Sequence, residues 1–148
     1  MKHIVSSFVL LSLVVLGGCG KGDGCVSVTG EVRHKGELLA EATVVFSAAD
    51  GSDESASGTT DESGKFVLST PTGKFGSGAK PGAYKVAITK KDFIWDGVSY
   101  IDRGYGDKVK DGKSVEVLPR EYGNSMQTPL NATVTKNAKE NVFNFDIP

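Results

Sequence analysis

The chain has 148 residues, 17 Lys and Arg against 18 Asp and Glu, and a formal net charge of -1. That balance leaves no basic surplus for a phosphate backbone, so nucleic acid is excluded as an expected partner. The length suits one domain with one core, and two cysteines do not make a disulfide framework.

Lys2 gives the first residues a positive charge, and an apolar run follows from Ile4 to Leu16, broken only by Ser6, Ser7 and Ser12. A run of that length fits the core of a signal peptide and falls short of the roughly 20 apolar residues that span a bilayer. Gly17 and Gly18 then precede Cys19. The four residues Leu16-Gly17-Gly18-Cys19 resemble the bacterial lipobox. The resemblance implies a lipoprotein signal peptide over 1–18, cleavage before Cys19, diacylglycerol on its sulfur and acylation of the new amino terminus. Two or three acyl chains hold firmly where one does not, because each buried methylene contributes about 0.8 kcal/mol. Residues 19–25 are Gly-rich and read as a flexible tether. Loss of Lys2 with the leader leaves a formal charge of -2. Gly20 stands where some bacteria place an inner-membrane retention Asp, which favours the outer membrane. Cys25 is either a thiol for an intermolecular disulfide or reaction, or a bystander beside the tether.

From Val26 to His34 apolar and polar residues alternate, the period of a half-buried strand. Lys35-Gly36-Glu37 reads as a turn, Glu41 to Ser47 as a second strand, and Ala48 to Ser57 as a small, acidic loop. Asp61 to Gly64 has turn composition, and Lys65 to Thr70 alternates through Phe66 and Leu68. Pro71 to Gly82 is too rich in Gly and Pro for regular structure. Ala83 to Lys90 places Tyr84, Val86 and Ile88 on one face, and Leu130 to Thr135 and Val142 to Ile147 are the last strands. Phe143, Phe145 and Ile147 share a face. About seven short strands with Gly- and Pro-rich turns predict an all-β sandwich over 26–148, interrupted by an insertion at about 91–128 with room for an extra hairpin.

The text Val28-Thr29-Gly30-Glu31-Val32, then Gly36-Glu37-Leu38-Leu39-Ala40-Glu41-Ala42-Thr43-Val44, resembles the carboxypeptidase regulatory-like domain, a transthyretin-like, immunoglobulin-like β-sandwich found in small bacterial lipoproteins. Thr60-Asp61-Glu62-Ser63-Gly64-Lys65-Phe66 matches a third element of that pattern, and Pro81-Gly82-Ala83-Tyr84-Lys85-Val86 a fourth. The resemblance implies a fold and names no function. Transthyretin-like hydrolases need several histidines and a terminal Tyr-Arg-Gly-Ser; this chain ends Phe-Asp-Ile-Pro, so the enzyme reading is not carried over.

Beyond the leader, His34 is the one histidine, placed beside a predicted turn and read as a solvated hairpin residue rather than a triad member. No nucleophile elbow, phosphate loop or zinc-protease motif occurs. Asp50, Asp53, Glu54, Asp61 and Glu62 form an acidic group on neighbouring predicted loops, in a spacing that matches no defined calcium loop. Asn131-Ala132-Thr133 is a sequon inside a predicted strand. The insertion carries the densest aromatic cluster, Phe93, Trp95, Tyr100 and Tyr105. These rings suit either recognition of sugar or peptide, or pinning of the insertion onto the sandwich; Tyr122 is undecided in the same way. The expectation is a non-catalytic, exported lipoprotein of the cell envelope, with no cofactor and no metal. It would be held to the outer membrane through its lipid, facing the periplasm or the cell surface. Its partner would be an envelope protein or polysaccharide of unknown identity.

Overall fold

In the computed structural model, residues 24–95, 98–99 and 113–148 are described. Within them lie eleven strand segments, no helix of seven residues or more, and several sheets. The leader at 1–18, the expected lipidated Cys19, and Tyr100 and Tyr105 lie outside the described residues.

One four-stranded sheet is built on β1 (Thr29–His34). Along one side β1 pairs in parallel with β11 (Val142–Ile147). Its other side is shared by two short antiparallel strands, β2 (Glu37–Leu38) and β5 (Lys65–Val67). The second sheet runs β10, β6, β3, β4, with β3 at Thr43–Ala48, β4 at Ser55–Thr59, β6 at Gly82–Thr89 and β10 at Asn131–Val134. All its pairs are antiparallel. A third, three-stranded sheet joins β7 (Lys91–Trp95) to β8 (Val98–Ser99) and β9 (Lys113–Glu116), so the insertion does hold a hairpin.

Alternation along the strands sets the core. Val28 and Val32 on the β1 path, Val44 and Phe46 on β3, and Tyr84, Val86 and Ile88 on β6 are buried, as are Phe145 and Ile147 on β11. Phe46 lies at the centre, its ring centroid 5.7 Å from Phe143, 6.2 Å from Phe145, 6.5 Å from Phe66 and 5.8 Å from Tyr84. One ring thus joins the apolar faces of both large sheets. Truncating such a side chain costs about 3–5 kcal/mol.

The sequence expectations differ from the structure at two strands. Ser55–Thr59, whose composition reads mostly as loop, forms β4, in register with β3 from Thr43↔Thr59 to Ser47↔Ser55. Glu37–Leu38, expected as the end of a turn, closes a small hairpin on Arg33 and His34. The whole is more finely divided than about seven strands.

Two ends of the molecule follow from the register. At one end lie Val26, the β3–β4 connection, the loop before β6 and the loop before β11. Val26 is bridged to Ala79 there, with N–O distances of 2.8 and 3.0 Å, and Val134 pairs with Gly82. At the other end lie the β1–β2 turn, the Asp61–Gly64 turn and the end of β6, which continues into β7. The eight residues of β6 separate the two by about 25 Å. Val26 therefore stands at one end, and β6 runs on into β7 at the other.

Candidate functional site

The residues of the Thr60–Phe66 element are occupied in holding the chain. Buried Thr60 donates its hydroxyl to Leu39 O (2.6 Å) and accepts from Ala42 N–H (2.8 Å), fastening the approach to β3 on which Glu41 takes φ 57°. Asp61 accepts from the backbone N–H of Ser63 (2.9 Å) and of Lys65 (3.0 Å) and from the Ser63 hydroxyl (2.7 Å). The Ser63 hydroxyl first, and then the Lys65 amide, lower the Asp61 pKa from its ordinary value. Gly64 sits at φ 70°, where an L side chain is strained, and Phe66 returns to the core.

The acidic residues do not form one group. Asp50, Asp53 and Glu54 precede β4, whereas Asp61 and Glu62 follow it, and five strand residues hold the two sets about 16 Å apart. The expectation of neighbouring loops fails because Ser55–Thr59 is extended rather than coiled. Asp50 closes its own turn on Ser52 N–H (2.9 Å), and Glu54 pairs with Lys80. Among the described residues no three of His, Cys, Asp or Glu converge as metal ligands.

Half-buried His34 ends β1 with Nδ1 3.2 Å from Ile147 O, and the neighbouring Lys35 N–H donates to the same carbonyl (2.8 Å). Asn131 donates to Pro129 O from within its own turn into β10.

Sequence reasoning missed a cleft of about 240 Å³ at the entry end, lined by Cys25, Asp53, Glu54, Ser55, Thr70, Lys80 and Tyr84 among others. Three of its residues, Glu54, Lys80 and Tyr84, are engaged with one another. The Tyr84 hydroxyl donates to Lys80 O (2.8 Å), and Lys80 donates to Glu54, which raises the lysine pKa above its ordinary value. Burial, reinforced by Glu54, raises that of the Tyr84 phenol. Glu54 and Lys80 stand 26 residues apart on separate loops, so no spacing in the sequence announces their pairing.

Phe93 and Trp95, the described aromatic candidates of the insertion, are on β7, which leaves the opposite end. Phe93 lies on β7 opposite Ser114 and is 57 % exposed. Trp95 is on the same strand, paired through its backbone with Val98; the surroundings of its side chain, like Tyr100 and Tyr105, lie outside the description. Tyr122, in a 3-10 turn over Arg120–Gly123, packs half-buried against the main core. Residues 117–128 also return to that core, through Leu118 and through Thr128, whose hydroxyl donates to Val86 O (2.7 Å).

Comparison of the chain with protein-family models, with curated proteins and with solved structures gave no match.

Proposed function

We propose that this chain is a lipid-anchored, non-catalytic envelope lipoprotein, its two large sheets forming a transthyretin-like β-sandwich that serves as a structural or interaction module. The observation that carries the reading is Leu16-Gly17-Gly18-Cys19, closing a largely apolar run that begins at Ile4 and preceding a Gly-rich segment. The sandwich reading is supported by Phe46, which stands on one large sheet and whose ring meets Phe143 and Phe145 of the other. The chain order supports the rest. A tether of 19–25 enters at Val26, and the insertion leaves from the far end of β6, so an anchored domain presents the insertion away from the bilayer. The motif residues that stand out in the sequence are engaged with backbone, as Thr60, Asp61 and Gly64 illustrate, which is what a framework requires.

Metabolic labelling with a fatty acid tests the anchor. Label enters the wild-type chain and is lost in Cys19→Ala; label that survives the substitution disproves acylation at Cys19. Release of the mature domain with the outer-membrane fraction tests the location proposed from Gly20. Pull-down from the intact envelope then addresses the envelope protein or polysaccharide.

A second reading, a lipoprotein that binds carbohydrate or peptide through Phe93, Trp95, Tyr100 and Tyr105, is favoured by one observation. A large apolar side chain, Phe93, is more than half exposed on the strand that projects from the far end. Titrating Trp95 fluorescence with envelope polysaccharides and peptides tests it. A flat response to all of them removes this reading.

A further inference from the structure

Among the exposed large apolar side chains, Phe75 is 90 % exposed and lies at the entry end, on the loop between β5 and β6. The loop around it is built rather than slack. Lys74 O accepts from Ser77 N–H (2.9 Å), Thr70 N–H donates to the Ser77 hydroxyl (3.0 Å), and Gly76 N–H donates to the Ser69 hydroxyl (2.8 Å). Gly78 takes φ 82° with its Cα so close to Val26 O that a Cβ would collide with it. The loop is therefore tied at its base to the residue where the chain enters the fold, through the paired Val26 and Ala79 bonds. Among the described residues nothing covers the ring at its tip.

We propose that this loop is a membrane-contact surface, with Phe75 seated in the headgroup region of the bilayer that holds the tether. The proposal rests on lipidation of Cys19. Seven residues from Cys19 to Val26 reach at most about 25 Å, and Phe75 lies four residues, at most about 14 Å, from Ala79, which is bridged to Val26 at the tether root. The occupant follows from that reach, since a bilayer carrying the lipid is never farther away than the tether is long. A single aromatic ring binds a membrane weakly from solution. Tethering makes the contact unimolecular, so a weak contact becomes populated. Charge does not drive it: Lys74, Lys136 and Lys139 at this end are interspersed with Asp50, Asp53 and Glu140. The contact orients the domain, entry end down and insertion outward.

The test uses the full chain, expressed with its leader, purified and reconstituted in phosphatidylcholine vesicles containing a brominated lipid. In a Trp95→Phe background, Phe75→Trp supplies one reporter and Met126→Trp another. Met126 is 91 % exposed and precedes β10, at the end away from Val26, so it serves as the distant control. Mass spectrometry first establishes the acyl chains. The expected result is at least twofold quenching of Trp at position 75, with little at 126, unchanged by 0.5 M salt or by added phosphatidylglycerol. An acylated chain quenched equally at both positions overturns the proposal alone. Quenching that appears only with phosphatidylglycerol and vanishes in salt overturns the apolar contact in favour of a basic one. A chain without acyl groups overturns the lipoprotein reading and this proposal together.

Discussion

The ring of Phe66 lies against Gly30, its cross-strand partner, and fills the space that a side chain at position 30 would need. A Cβ built on Gly30 would come within 2.6 Å of Phe66 Cζ and would also collide with Phe143 O on the parallel neighbour β11. The Gly of the first motif and the Phe of the third are thus two halves of one contact.

Gly30→Ala is expected to destabilise the fold by about 3 kcal/mol, as overpacking between two strands forces backbone shifts. Adding Phe66→Leu should not restore the loss, because the collision with Phe143 O remains. Urea unfolding of the single and double variants measures both.

Thr60→Val removes a hydroxyl that donates to Leu39 O and accepts from Ala42 N–H in a buried setting. Leaving those backbone groups unpaired is expected to cost about 2 kcal/mol. Thr60→Ser keeps the hydroxyl and should lose about 1 kcal/mol or less, the value of one methyl group. A Ser variant as damaged as the Val variant would refute the hydrogen-bond account.

Asp61 has a pKa depressed below its ordinary value of 3.8, chiefly through the Ser63 hydroxyl and the Lys65 amide. Its ionised form is therefore favoured in the folded state. That contribution is fully present above about pH 4 and is lost as pH falls through the depressed value, because the unfolded chain takes up the proton first. Asp61→Asn should flatten the fall in stability below pH 4 by lowering the neutral plateau, so that the two proteins converge at acid pH. Thermal melts between pH 2 and 7 compare the two slopes.

Asn141 is buried, accepts from Thr135 N–H (2.8 Å), and donates to Thr135 O (2.9 Å) and Ser27 O (3.4 Å). It joins the loop after β10 to the entry of β1. Asn141→Leu keeps much of the volume and strands the Thr135 groups, so a loss of about 2–4 kcal/mol is expected in denaturant titration.

Phe93→Ala should change stability by less than about 1 kcal/mol, since more than half of the ring already faces solvent. A larger loss in calorimetry would mean that the ring pins the insertion and would weaken its role as a contact surface.

The strands that could be read in the sequence are those with a dense apolar face, such as Tyr84, Val86 and Ile88 on β6 or Phe66 leading into Leu68. β4 escaped because Ser-Ala-Ser-Gly-Thr has almost no strand propensity and buries only Ala56 among its side chains. It is held by its ladder to β3, a tertiary effect that composition does not record. The turn chemistry of Asp61 and Gly64 was legible because each residue type has one local use there. The cleft between Glu54 and Lys80 was not, since its partners meet only after the loops at the entry end have come together. Among the described side chains of the insertion's aromatic candidates, Phe93 is exposed.

The bridge between Val26 and Ala79 also determines how the molecule carries load. A pull applied ahead of Val26 passes along the axis of β1, which is flanked by β11 on one side and by β5 and β2 on the other. The ladders are then loaded in shear, many bonds at once, instead of being opened singly like a zip. A sheet gripped by its interior strand resists extension where one gripped by an outer strand would peel.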